Sequence, residues 1–420
     1  MLNIVIKLVL LSFVFAATTA QGAEFELHPT LAVSEEFTDN VFETSTSRVS
    51  DYITRALPGI VLSYQAPLLT GDLGYVFDYR HYAKKSRDDE ITHALSAKGH
   101  LTAMENLLFL DVSDEYQRVS LDVTRNTNKE SLFVNQSDRN VVTASPYFTL
   151  RPSERFMLKP GYRFIDTRYF KSTGSATVVD KTDHIAFLNM RYELTKSLSL
   201  TADYTFTREL SVVDDFSQHQ SLGGFRYEYA DKSFFFVQGG ETWIEYDNGQ
   251  HFSNTLWNAG LSHIFDTVTG TLTTGVKYDE DPLRNIVQES FVSGTVEKRF
   301  QRGTMSFSPY YSDYVATKSN TQPANQINQN IAATKKYGAT VRGQHEFTAD
   351  LNSNLAFTVE KYEQQSSYTR RFQVDSGLSY LVGKQLTASI TYIYTGYYSP
   401  GIATDNRHVN RAMIEIKKVF

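Results

Sequence analysis

Asp72, Asp78 and Arg80 stand at even spacings in LTGDLGYVFDYRHY, with Leu69, Leu73, Tyr75, Phe77 and Tyr79 at intervening positions. Acids and bases set out this way can hold a polar solute by charge and hydrogen bonds. They do not by themselves activate a nucleophile. The same spacing recurs along the chain. Further acids are Asp111, Glu115, Asp203, Glu228, Glu297, Glu346, Glu360 and Asp375. Further bases are Lys98, Lys159, Arg163, Arg191, Arg226, Lys277, Arg299, Arg342 and Arg371. Opposite charges on neighbouring strands can pair, and the mixture of signs argues against a wall selective for one sign of ion.

Catalytic constellations are missing. The ten His residues are scattered, none in an H-x-x-x-H pair, and no G-x-S-x-G or phosphate-cradling glycine loop occurs. The chain has no Cys, which rules out disulfides, thiol catalysis and Cys-bearing metal sites. No catalytic, cofactor or metal residue is assigned, and an enzyme is not the expectation. His81, His251 and His408 read as polar rim residues. The net charge of −6 leaves no basic footprint for nucleic acid.

What must position these charges is a succession of strands. Period two runs through nearly the whole chain. In ERFMLKPGYRF, Phe156, Leu158, Tyr162 and Phe164 oppose Lys159 and Arg163; in RRFQVDSGLSYLVG, Phe372, Val374, Leu378 and Tyr380 oppose Arg371, Gln373 and Asp375. With 26 Tyr and 28 Phe beside a mean hydropathy of −0.34, the composition suits strands whose faces see two different environments. The alternation predicts strands at 25–37, 52–64, 69–82, 91–103, 107–117, 140–151, 155–167, 183–195, 198–208 and 218–229. It continues at 234–246, 252–265, 269–278, 287–300, 304–314, 335–347, 351–362, 368–381, 385–396 and 409–420.

Short connections such as TAMEN, RPSER, LTKS and LVGK alternate with longer polar ones such as RVSLDVTRNTNKESLFVNQSDR. Short turns at one end and long loops at the other predict an all-β, antiparallel, up-and-down transmembrane barrel of about 20 strands, with 18 the next best count. The turns face the periplasm and the loops the cell exterior. The opening MLNIVIKLVLLSFVFAATTAQGAE has one Lys, an apolar run and small residues, so residues 1–23 read as a secretory signal and 24–420 as the barrel. Its loss removes Lys7 and leaves 40 bases against 47 acids. The destination is the outer membrane of a Gram-negative cell.

The last ten residues, RAMIEIKKVF, alternate up to the final aromatic. A barrel lacks a free edge only if its last strand pairs with its first. Phe420 therefore reads as the periplasmic end of a closing strand and as the signal met by the barrel assembly machinery. Lys418 falls on the apolar face, where its stem can snorkel. A wall this wide, with no plug domain before Phe25, needs narrowing. The loops 118–139, with Leu132 and Phe133, and 315–334 are the candidates.

At EEFTDNVFETSTSRVSDYITRALPGIVLSY the chain resembles the EpsL-type outer-membrane barrels found with exopolysaccharide and PEP-CTERM gene clusters. The shared features are an aromatic-T-D-N-V, here Phe37 to Val41, and then Asp51, Ile53, Thr54, Pro58 and Gly59. They cover about 25 residues near the first strand. Asp39-Asn40 also has a structural reading, since both side chains can bond nearby backbone N–H groups. The resemblance implies export of an extracellular polysaccharide, with the barrel as a conduit working beside periplasmic polysaccharide-export proteins. The alternatives are a general or small-solute diffusion porin and a non-conducting scaffold. Partners common to all three are outer-membrane lipid and the assembly machinery; a hydrophilic solute or polymer is added for the first two.

Overall fold

The computed structural model describes residues 22–120, 136–170, 178–211, 215–249, 251–280, 286–316, 335–364, 367–400 and 406–420. Among these the chain folds as strands: β1 (Glu24–Thr38), β2 (Asp51–Gln65), β3 (Leu69–Tyr82), β4 (Glu90–Ala103), β5 (Leu108–Ser120), β6 (Gln136–Phe148) and β7 (Leu150–Ser153). Next come β8 (Phe156–Phe170), β9 (Lys181–Glu193), β10 (Leu198–Ser211), β11 (Phe216–Ala230), β12 (Ser233–Tyr246), β13 (His251–Phe265) and β14 (Val268–Glu280). The last are β15 (Ile286–Phe300), β16 (Gly303–Ala316), β17 (Lys335–Glu346), β18 (Leu351–Gln364), β19 (Ser367–Gly383), β20 (Leu386–Tyr398) and β21 (Arg407–Val419).

Apart from β6 and β7, which both pair with β8, each strand pairs antiparallel with the next in sequence, and β21 returns to pair with β1 from Thr30↔Val419 to Thr38↔Arg411. The segments β6 and β7 share one stave against β8, so twenty-one segments make a closed barrel of twenty staves. The interruption has a cause. Pro146, Pro152 and Pro160 flank the seam between that stave and β8, and each lacks the N–H that a ladder needs. Phe420 N donates to Pro29 O at 2.9 Å, which carries the closing ladder to the end of the chain.

Closure gives the alternation its meaning. Gln238 Nε2 on β12 reaches over β11 to Thr201 Oγ1 on β10 at 3.1 Å, as side chains that converge on a concave face can. The residues in register with these two line the lumen. The opposite face carries large apolar side chains open to the surroundings, among them Leu31, Val33, Leu355, Ile390, Ile414 and Ile416. An apolar belt around a closed, edgeless sheet is the surface of a barrel that spans a membrane. Lys418 sits in this belt as expected, with Nζ 4.8 Å from the Phe420 ring centre.

The connections on the periplasmic side hold two to four residues each. On the extracellular side the asymmetry is narrower than the sequence suggests. There β5 runs to Ser120 and β6 starts at Gln136, and only residues 365 and 366 separate β18 from β19. Ladder pairing continues above the apolar belt, where neither face needs to be apolar, so hydrophobic alternation ends the strands short there. Residues 1–21, which hold most of the segment read as a secretory signal, lie outside the described residues.

Candidate functional site

The pairing register sets all twenty charged candidates on the concave face. Asp72 is opposite Lys98, Glu115 opposite Ser96, Arg342 opposite Ser306 and Glu346 opposite Asn352. Some are joined by contact: Arg191 Nη2–Glu193 at 3.5 Å, Arg226 Nε–Glu228 at 3.2 Å, Lys277 Nζ–Glu289 at 2.9 Å and Arg299 Nε–Glu297 at 3.0 Å. Asp203 accepts from Asn189 at 2.7 Å, and Asp375 accepts from Gln373 at 2.8 and 2.9 Å. Lys159 lies 3.7 Å from the Tyr147 ring centre and Arg163 lies 5.5 Å from that of Phe187. The result is a lumen wall with its charges dispersed and largely answered by a neighbour.

At the closing seam the charges become buried and continuous. Asp78 takes two bonds from Arg55, at 2.8 and 3.2 Å, and two from Arg80, at 2.8 and 3.0 Å. Glu36 stands 4.0 Å from Arg55 and 3.8 Å from Arg411, and Arg411 Nη2 donates to Glu43 at 3.1 Å. Arg80, Asp78, Arg55, Glu36, Arg411 and Glu43 thus alternate in sign across β3, β2, β1, β21 and the first loop. A second cluster lies beside it. Glu360 on β18 accepts from Arg371 Nη1 at 2.5 Å, from Tyr362 at 2.7 Å and from Tyr310, with Lys336 Nζ at 3.9 Å. Arg371 also donates to Gln373. In a low-dielectric wall such groups stay charged only as mutually satisfied sets.

The segment that enters the barrel is residues 39–50, between β1 and β2. Val41 is fully buried with Ile53 and Tyr82, both on the concave face. Glu43 lies against the inner wall formed by Arg371, Ile393, Tyr397, Val409 and Arg411. Val41 N bonds to Val49 O at 2.8 Å and closes the segment on itself. Asn40 holds it there: its Oδ1 accepts from Thr44 N at 3.0 Å, and its Nδ2 donates to Thr44 O at 2.7 Å and His408 O at 3.1 Å. Asp39 bonds Asn410 N and Nδ2 at 2.8 and 2.6 Å. Asp51 accepts from Lys84 N, Ser86 N and Ser86 Oγ. The D-N of the sequence motif and its downstream Asp are therefore ties between loop and wall.

The structure adds Glu36, Glu43, Arg55, Lys336, Tyr310, Tyr362 and Arg411 to the residues read from sequence. Arg55 and Arg411 were within reach of the alternation, since both sit at inward positions of their strands. Nothing in the sequence marks Glu43, whose partner is 368 residues away. The two loops expected to narrow the pore fall largely in 121–135 and 317–334, outside the described residues. His81 and His408 do lie at the extracellular rim, His81 Nδ1 against Asp89 at 3.1 Å and His408 against Arg48.

Near the periplasmic end the wall opens into a recess of about 350 Å³ lined by Thr70, Asp72, Lys98, His100, Asp111 and Ser113. His100 Nδ1 meets Asp111 at 2.6 Å and Nε2 meets Thr102 Oγ1 at 3.2 Å. Phe109 and Tyr147 stack beside it, with ring centres 5.2 Å apart. The His–Asp pair is about half exposed, so this is a hydrogen-bonding wall in contact with solvent. Among the described residues no group of three His, Asp or Glu is placed to hold a metal ion.

No protein-family model matches the chain, and no curated protein is similar to it in sequence. Solved structures of similar form include the outer membrane protein OpdK from Pseudomonas aeruginosa, with 10% identity over 94% of this chain and 98% of that one and a TM-score of 0.47. Pseudomonas aeruginosa OpdK with vanillate matches at 9% identity over 94% and 98%, with a TM-score of 0.45. Pseudomonas aeruginosa OccK3 (OpdO) matches at 11% over 94% and 96%, with a TM-score of 0.41. Likeness at this level carries no statement about solute or mechanism. The closed ladder and the apolar belt, read from the chain itself, make it an integral outer-membrane β-barrel.

Proposed function

We propose that the chain is a diffusion pore for small hydrophilic solutes. The observation that carries this reading is the concave face: charged and amide side chains line it from the recess at Asp72 and Asp111 to the network at the closing seam, and the segment 39–50 covers one side of it. A wall of mixed, paired charges lowers the cost of dehydrating a polar solute without favouring one sign of ion. Passage of an extracellular polysaccharide is the second reading. It rests on the resemblance over residues 37–59, where Asp39, Asn40 and Asp51 are engaged as ties of the loop to the wall. Swelling of proteoliposomes in sugars of increasing size separates the two. Entry of monosaccharides with rates that fall steeply with size supports the small-solute pore. Size-independent uptake extending to long oligosaccharides would transfer the reading to a polymer conduit, and no swelling in any solute would remove both.

A further inference from the structure

The convex face carries a repeat that neither closure nor the lumen uses. In three hairpins the outward residues of the rising strand read Tyr-x-Phe: Tyr75 and Phe77 on β3, Tyr162 and Phe164 on β8, Tyr204 and Phe206 on β10. Directly opposite each Phe, on the descending strand, stands a His, in the pairs Phe77↔His93, Phe164↔His184 and Phe206↔His219. Each Tyr hydroxyl reaches diagonally to that ring. The distances to Nδ1 are 2.7 Å for Tyr75–His93, 2.5 Å for Tyr162–His184 and 2.8 Å for Tyr204–His219. Each Phe ring packs on its imidazole, with centres 5.4, 5.5 and 4.8 Å apart.

The chemistry of the unit follows from this geometry. A neutral imidazole has one donor and one acceptor nitrogen, and when Nδ1 accepts from the phenol the ring proton sits on Nε2. Nδ1 lies on the side of the ring held by Tyr, so Nε2 faces away from it, and Nε2 has no partner among the described residues in any of the three. The units share one height. Each His is three residues in from the extracellular start of its strand, at Glu90, Lys181 and Phe216. Just above them the apolar belt ends in polar contacts: Tyr79 and His81 with Asp89, Arg168 with Asp166, and Arg208 with Asp247. The acids there are already engaged, while Glu241 stands across from Ser221 near the third unit. With the phenol as the donor to Nδ1, three oriented N–H donors are left at the boundary between lipid tails and headgroups.

We propose that these three Tyr–His–Phe units bind the phosphate groups of lipid headgroups in the outer leaflet around the barrel. The Phe and Tyr rings seat the acyl-chain side of the lipid, and Nε2–H donates to a phosphate oxygen, a charge-assisted bond. His263 is a built-in control: it bonds Tyr229 at 2.8 Å and packs on Phe265, but at the periplasmic end and with the Phe on its own strand.

Native mass spectrometry of the detergent-purified full chain tests this, using diphosphorylated lipid A and the same lipid with both phosphates removed. The wild type is expected to bind up to three phosphorylated lipids with about tenfold preference over the dephosphorylated form, the size expected of a bond to a charged group. His93→Phe, His184→Phe and His219→Phe together should abolish that preference, and each single substitution should remove one bound lipid. His263→Phe should leave it unchanged. Tyr75→Phe, Tyr162→Phe and Tyr204→Phe, which keep the rings but free the tautomer, should reduce it in part. Equal retention of both lipids by the wild type, or full retention of the preference by the triple His variant, overturns the proposal. Heat-modifiable gel mobility checks folding, and the single substitutions carry the test should the triple variant not assemble.

Discussion

The Glu43 and Arg411 side chains are each 8% exposed, so their pair is effectively cut off from solvent. Removing one charge from such a set leaves the other stranded. Arg411→Ala takes this cation from Glu43 and leaves Glu36 with Arg55 on its other side, and should cost about 3–5 kcal/mol. Glu43→Gln leaves Arg411 with Glu36 and should cost less, about 1–3 kcal/mol. Urea unfolding in lipid vesicles checks the order, and equal costs would deny Glu36 its bridging place. Asp89, outside the spanning strands, behaves differently. Hydrogen bonds from His81, and then from Tyr79 and Lys85, hold its carboxyl well below the usual carboxylate range. A carboxyl held down in the folded state stabilises above its unfolded pKa of about 3.9. That contribution disappears as pH falls through the folded value. Hydrogen exchange of residues 83–89, corrected for intrinsic rate, should stay level from pH 8 to 5 and rise only below about pH 4. Asp89→Asn should show the raised rate already at pH 7.

At the scale of strands, the hairpin β11–β12 is set by close backbone approach. Leu222 pairs with Gly240 and Gly223 with Gly239. A Cβ at Gly240 would overlap the backbone oxygen of Ser221, which no side-chain rotation can relieve, whereas one at Gly270 meets nothing. Gly240→Ala should therefore destabilise by about 1–3 kcal/mol, while Gly270→Ala should be neutral or slightly stabilising. The fraction of heat-modifiable barrel after refolding reads both. The strands themselves were legible in the chain to within a few residues, as with β3 at 69–82 and β13 ending at Phe265. The misses gather at the extracellular ends, around Ser120, Gln136 and Phe170. There Arg118, Asp138 and Glu90 hold the ladder through ion pairs and leave no apolar stripe to read.

For the whole barrel, residues 39–50 lie against the inner wall, with Val41 on Ile53 and Tyr82 and Glu43 beside Arg371 and Arg411. Deleting 41–49 while keeping Asp39, Asn40 and Asp51 should raise single-channel conductance in planar bilayers, because it clears Val41 and Glu43 from the inner wall. Permeability to cations and anions should remain within a few fold of each other, since Arg411 and Arg371 keep Glu36 and Glu360 as counter-charges. Conductance equal to wild type after the deletion would show that this segment does not narrow the path. Deletion of 121–135 or 317–334 gives the comparison for the two longer loops.

Alternation by itself determined the barrel, because a strand between lipid and water must change character at every residue. It therefore also told which side of the strand the twenty lumen candidates take, and that Lys418 lies on the apolar face. It could not say which charges meet. Asp78 joins Arg55 and Arg80, and Glu360 joins Arg371, through registers set by the pairing of whole strands. Closure brings Glu36 to Arg411 from opposite ends of the chain. The inward fold of residues 39–50 lay beyond any periodic signal, since a loop has no period. Its place is decided by Glu43, Asn40 and Val41 finding partners on strands that only the closed barrel sets beside them.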